Sequence, residues 1–310
     1  MNGAGLAFLL SVTLLGAADS RSGAAKTTRT FVRVAVGEQD PPLEGKSFTA
    51  KLDGNAAKVL RVQGREDDMV LMLVLDLSGE PTLIDAARES LIGQIAQFAP
   101  NHWVGVMKAQ DALQALVDPT ADREKVNTAI RDYAATGKAG LLTTIEAVAN
   151  LGTRLMDRSG VRVAVLYITD SNIYNYREDY TNPVINSSDS RDLSRRFSDQ
   201  LIKNKIETMS GRLARLEAPL YIVQLNYLTD PINEAYRRGV LQLAEESGGG
   251  GAFCRSRGEI ATAVENALKS AVHHWSVAVE LKATKARSVT VILKNGDRDI
   301  PNRERFALGK

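Results

Sequence analysis

Met69-Val-Leu-Met-Leu-Val-Leu-Asp-Leu-Ser-Gly-Glu80 is the stretch from which the fold can be read. Its apolar run, Met69 to Leu75, is far short of the ~20 residues a membrane-spanning helix needs, and it shows no polar stripe of helical period. It suits a strand buried on both faces, as in the middle of a parallel sheet. The run stops at Asp76, and Ser78, Gly79 and Glu80 crowd its C-terminal end. In an open α/β sheet, ligands gather at that end. A second run, Val161 to Thr169 (VRVAVLYIT), also delivers an acid, Asp170. Two such strands side by side predict a metal or ligand site on one sheet edge.

Outward from these strands, apolar spacing predicts helices over 81–98, 122–133, 141–157, 198–216, 232–246 and 257–272. Between them lie short strands at 103–108, 112–117, 220–225 and from Phe253. The order β-α-β-β-α-α-β-α-β-α-β-α implies an α/β domain with a doubly wound, mainly parallel sheet. The flanks differ. Residues 30–36 alternate like a half-buried strand, and 47–52 and 57–62 flank the turn Asp53-Gly54-Asn55. Two further β stretches, 275–281 and 288–293, precede a basic tail. These flanks are too small to be stable alone, so they are expected to join as one β module. The division expected is 1–24 leader, 25–67 N-terminal β segment, 68–274 α/β domain and 275–310 C-terminal β segment.

The chain has 310 residues, 44% hydrophobic and 25% charged, within the globular range. A formal charge of +2 gives no electrostatic case for nucleic acid or a membrane surface. Leu6 to Leu15 is a short apolar run with a small-residue exit at Gly16-Ala17-Ala18, which reads as a signal peptide. Export to a periplasmic or extracellular location is expected, an uncleaved N-terminal anchor being the alternative and the only membrane attachment foreseen. The single cysteine, Cys254, excludes an intrachain disulfide.

The strand order, Asp76-x-Ser78, Thr169-Asp170-Ser171 and Leu243-Ala-Glu-Glu-Ser-Gly-Gly249 together resemble a von Willebrand factor type A domain. With the flanking β segments, the resemblance extends to family members of exported bacterial, notably acidobacterial, type. It implies a protein-binding or adhesion module rather than an enzyme, and a metal-ion-dependent adhesion site for Mg²⁺ or Mn²⁺. Carried over residue by residue, that site comprises Asp76, Ser78, Glu80, Thr143 and Asp170. The chain departs from the family pattern at three places. Glu80 stands where the family has serine, Gly140 aligns with its loop threonine, and Ser171 replaces the glycine after the second aspartate.

Two outcomes follow for the edge. Hydroxyls and carboxylates suit a small dication, with Glu80 in the place of a partner's carboxylate. Alternatively no metal binds, and Lys138 compensates the mutual repulsion of Asp76, Glu80 and Asp170. Asp76 is also suited to capping the helix that follows its strand. Residues 171–198, with Tyr174, Tyr176 and Tyr180, form the least regular segment and, with Lys138, read as a partner-binding surface over the site, an ordered lid with no partner being the alternative. The expected partner is another protein. A metal-free scaffold component of a cell-envelope assembly is the second reading, and a metal-assisted hydrolase the third. His273-His274 reads as helix-end charge, Cys254 as a structural thiol, and Gly248 to Gly251 as a helix stop.

Overall fold

The computed structural model describes residues 30–173, 199–282 and 286–308. An N-terminal group of strands comprises β1 (Phe31–Val36), β2 (Phe48–Leu52), β3 (Asn55–Ala57) and β4 (Val59–Gln63). The middle begins with β5 (Met69–Asp76), α1 (Pro81–Ile95), β6 (His102–Lys108), β7 (Gln114–Thr120), α2 (Arg123–Arg131) and α3 (Leu141–Ser159). It continues through β8 (Arg162–Thr169), α4 (Asp199–Leu213), β9 (Leu220–Gln224), α5 (Pro231–Glu246), β10 (Gly250–Phe253) and α6 (Arg257–His273). The chain closes with β11 (Trp275–Glu280), β12 (Ser288–Asn295), β13 (Arg298–Ile300) and β14 (Arg305–Ala307).

The middle forms a six-stranded sheet in the order β10-β9-β8-β5-β6-β7, parallel except for β7. All eight residues of β5 are buried, as the apolar run requires. Met69, Leu71, Leu73 and Leu75 face a layer made by α1, α2 and α6, while Val70, Met72 and Val74 face α3, α4 and α5. Each such side chain contributes about 2 kcal/mol by leaving water, which pins β5 at the centre. Its parallel register with β8 runs from Met69 beside Arg162 to Asp76 beside Thr169. Asp76 and Asp170 thus reach the same edge because two buried strands of matched length end together.

The flanks assemble into a β module of two antiparallel sheets, β1-β11-β4 and β13-β12-β2-β3, with β14 on β12. Val34, Phe48, Val277, Val291 and Phe306 share its core. Three expectations are corrected here. The strand expected over 57–62 is two: β3 pairs with β2 in one sheet and β4 with β11 in the other. The basic tail is not a tail, since Ile300 and Phe306 are buried in the module's core between charged neighbours that mask the alternation. Among the glycines, β10 begins at Gly250, three residues before the expected start.

The polypeptide passes from module to α/β domain between β4 and β5, and returns between α6 and β11. One side chain holds both crossings. Arg162, fully buried at the start of β8, donates to the carbonyls of Val272 (2.8 Å) and His274 (2.7 Å) on the return. It also donates to those of Arg65 (3.2 Å) and Asp67 (2.8 Å) on the way out. Burial lowers its pKa to about 10, still well above neutrality, with Asp67 and Asp68 opposing the fall. Arg303 adds a tie from β module to domain through the carbonyls of Leu216 (2.6 Å) and Ala214.

Candidate functional site

At the end of β5, Asp76 is fully buried. The backbone N–H of Gly140 donates to its Oδ1 at 2.8 Å, and that of Leu141 to Oδ2 at 3.1 Å. Thr169 Oγ1 donates to the same Oδ2 at 3.0 Å. Asp76 therefore caps α3, not the following helix α1. The reason is geometric: the loop before α3 enters directly above the strand end and aims its unpaired N–H groups there. α1 instead starts from Glu80 as N-cap, with Pro81 in its first turn and no side-chain cap.

Asp170 is the complement. The backbone N–H groups of Ser78 (2.9 Å to Oδ1) and Gly79 both donate to its carboxylate. Each aspartate thus braces a loop, Asp76 the one before α3 and Asp170 the β5–α1 turn. Burial raises both carboxyl pKa values, and the hydrogen bonds pull them back only in part; Asp76 is pushed up to about 6. Thr169 also meets Ser171 Oγ at 2.7 Å, and both are buried. Above them the Tyr133 hydroxyl accepts from Leu77 N–H at 3.1 Å, and Gln110 donates to the Leu77 carbonyl.

The other expected site residues lie apart from this pair. Glu80 is exposed, and its Oε1 accepts from Thr82 Oγ1 at 2.6 Å. Thr143 is exposed in the first turn of α3 and donates to the Gly140 carbonyl at 2.9 Å. Ser78 is half-buried and meets Asp170 through both its N–H and its side chain. Lys138 is exposed, its backbone tied to Asp111 in both directions. Tyr174, Tyr176 and Tyr180 lie outside the described residues. Thr169 and Ser171 entered the sequence reading only through the Thr169-Asp170-Ser171 motif, Gly140 only as the residue aligned with the loop threonine, and Gln110 not at all.

The residues at this edge do not fit a divalent cation. Oxygens that would face a metal are turned toward backbone N–H donors, and Glu80 points away. The position of the loop threonine is closed as well: a Cβ on Gly140 would lie 1.4 Å from the Ala109 carbonyl oxygen. Among the described residues, no three His, Cys, Asp or Glu side chains stand together as a ligand set. Two further sequence readings are sharpened here. Cys254 is buried, and burial pushes its thiol up to about 11, which suits a structural thiol. His274, expected to supply helix-end charge, is turned inward and held neutral, with its pKa lowered to about 4 by burial.

No family model matches the chain, and no curated protein does. Solved structures share the path of the fold at low identity. A von Willebrand factor type A protein from Catenulispora acidiphila aligns at 9% identity and a TM-score of 0.43, over 92% of this chain and 74% of that one. The PilB minor pilin of Streptococcus sanguinis aligns at 11% and 0.46, over 66% of this chain and 60% of the pilin. An aerotolerance-related membrane protein of Bacteroides fragilis aligns at 13% and 0.39, over 65% and 98%. These similarities concern chain path; the α/β architecture itself is given by the strand register.

Proposed function

We propose that the chain is a non-enzymatic, protein-binding module of von Willebrand A type, exported, and working without a divalent cation. One observation carries this: Asp76 and Asp170 spend their oxygens on backbone N–H groups of the loops before α3 and α1. Carboxylates so engaged make a firm platform for the surface formed by these loops, and their described contacts are to the protein's own donors. The hydroxyls that meet a carboxylate there, Thr169 directly and Ser171 through it, are buried, which does not suit a hydrolase nucleophile. The scaffold reading within an envelope assembly gains from the same geometry, since a platform braced by backbone contacts holds a partner without a metal to regulate it.

The test is calorimetric titration of Mg²⁺ and Mn²⁺ into the full chain after EDTA treatment, beside Asp76→Ala. No saturable heat at millimolar metal is the expected result. Saturable binding that Asp76→Ala abolishes would sink the metal-free reading. Turnover on a hydrolase substrate panel, lost in Asp170→Ala, would sink the non-enzymatic one.

A further inference from the structure

All three histidines of the chain lie at the edge of the sheet opposite the aspartates, beside the two crossings. His274 is buried where α6 hands over to β11, and its Nδ1 lies 2.7 Å from the Ala271 carbonyl. Because a carbonyl only accepts, Nδ1 carries the proton of a neutral ring. The carbonyl of His274 is itself one of the Arg162 acceptors. His102 opens β6, is 6% exposed, and its ring faces the Arg65 backbone without a hydrogen bond of ordinary geometry to either ring nitrogen. It lines an open cleft of about 400 Å³ between the end of α1, the outgoing crossing and α6. His273 closes the group, its Nδ1 3.0 Å from Glu38 Oε1.

The charges facing these rings come from four elements, and two arginines stand nearest them. Arg162 from β8 faces both His102 and His274, and Arg123 from α2 faces His102. Arg65 adds a third cation, and Glu66, Asp67 and Asp68 on the outgoing crossing oppose Arg162. On α6, Lys269 and His273 share Glu38, and Glu265 faces the same cleft. A proton on His102 or His274 has no hydrogen-bonded carboxylate partner among the described residues and is placed beside Arg162. A buried like charge of this kind is strongly unfavourable. Relief comes by letting the crossings loosen and water in.

We propose that this joint is acid-sensitive: proton uptake at His102 and His274 releases the two crossings from Arg162, so that the joint opens locally while both parts keep their secondary structure and the Arg303 and Arg33 ties hold elsewhere. Burial holds both rings below the usual histidine range, so the release belongs to acid rather than neutral conditions. An opening that takes up two protons becomes about 100-fold more favourable per pH unit within its window. The device is independent of the function proposed above.

Trp275 is a built-in reporter. It follows His274, sits 5.7 Å from the Phe48 ring, and is packed so closely on the outgoing crossing that a Cβ on Gly64 would fall 2.8 Å from it. In full-length Trp103→Phe protein, Trp275 emission should shift red, reversibly, as pH falls from 7 to 4, with far-UV circular dichroism unchanged. Hydrogen exchange at 64–68 and 273–276 should speed up over the same range. Combining His102→Gln with His274→Asn, whose amide keeps the bond to Ala271, should remove the shift. The proposal is overturned by a shift that persists in the double variant, by one that coincides with loss of secondary structure, or by no shift at pH 4. Should the double variant not fold, imidazole proton resonances of the wild type decide. Two of the three must titrate with the midpoint of the Trp275 signal, and midpoints that do not match overturn the idea.

Discussion

At one edge of the central sheet, two carboxylates are wrapped by backbone N–H groups; at the other, one guanidinium is wrapped by backbone carbonyls. Asp76 and Asp170 satisfy the amides of the loops before α3 and α1. Arg162 satisfies carbonyls at the end of α6 and in the crossing before β5. Helices leave unpaired N–H groups at their starts and unpaired C=O groups at their ends. In a parallel sheet the two kinds of end face opposite edges, so each edge favours a buried charge of one sign. An acid at a strand end is thus accounted for by the backbone around it before any ligand is invoked.

The strongest way to break this symmetry is at the single guanidinium. Arg162→Met keeps much of the volume but leaves four carbonyls without their donor. With ~1–3 kcal/mol for each buried group left unpaired and some recovered by water, a loss on the order of 5 kcal/mol is expected, read by urea unfolding. A loss under about 1 kcal/mol would mean that Arg162 fills space rather than holding the crossings.

Next in size is Gly140→Ala. Overpacking costs ~1–3 kcal/mol in a yielding core, but here the obstacle is the Ala109 carbonyl 1.4 Å away, so a loss of about 4 kcal/mol or more is expected in thermal unfolding. Near-neutral behaviour would show that the loop before α3 moves freely, and would reopen the site to a threonine-bearing geometry.

The two edges also respond oppositely to pH. Asp76, raised from 3.8 to about 6 in the fold, binds its proton more tightly there than in the unfolded chain. Its stabilising contribution is present below the lower value and lost as pH rises through the upper. His274, lowered from 6.5 to about 4, contributes above 6.5 and loses that contribution as pH falls toward 4. Each shift is about 2 units, hence about 3 kcal/mol at 1.36 kcal/mol per unit. In the wild type the two oppose each other and the profile from pH 4 to 7 is shallow. Asp76→Asn should make stability fall toward acid, and His274→Asn should make it rise. Urea unfolding followed by far-UV circular dichroism across that range checks both signs; equal slopes in the two variants would refute the pairing. The smallest effect is expected at Glu80→Ser. Among the described residues its exposed carboxylate meets Thr82, and such surface contacts are worth about 0.5 kcal/mol. A larger change would place Glu80 in the site after all.

The central sheet was legible because β5 and β8 are continuous apolar runs, and only burial on both faces explains those. The helices on the two faces followed from their stripes. Strands β13 and β14 were not legible, because Ile300 and Phe306 stand singly among Arg298, Asp299, Arg303, Glu304 and Arg305, and short strands on a small module show no period. At the site, sequence brought Asp76 and Asp170 to one edge, yet it could not say what their oxygens would meet. Backbone N–H groups have no letter in a sequence, and the loop before α3 betrays its closeness only through Gly140. Arg162 was missed for the same reason, its partners all being carbonyls.

The pairing of β1 with β11 places Phe31 opposite Glu280 and Val36 opposite Trp275. In topological terms the α/β domain is an insertion within the β module, whose sheet needs both ends of the chain. During synthesis β1 and β4 are therefore made long before their shared neighbour β11 exists, and their pairing edges stay open throughout that delay. Contacts of such wide sequence separation form slowly, and open edges invite mispairing. The α/β domain, whose widest strand pairing joins Met69 to Arg162 where the module joins Phe31 to Glu280, is free to fold first and bring the two ends together. The β module is the last part of the molecule to close.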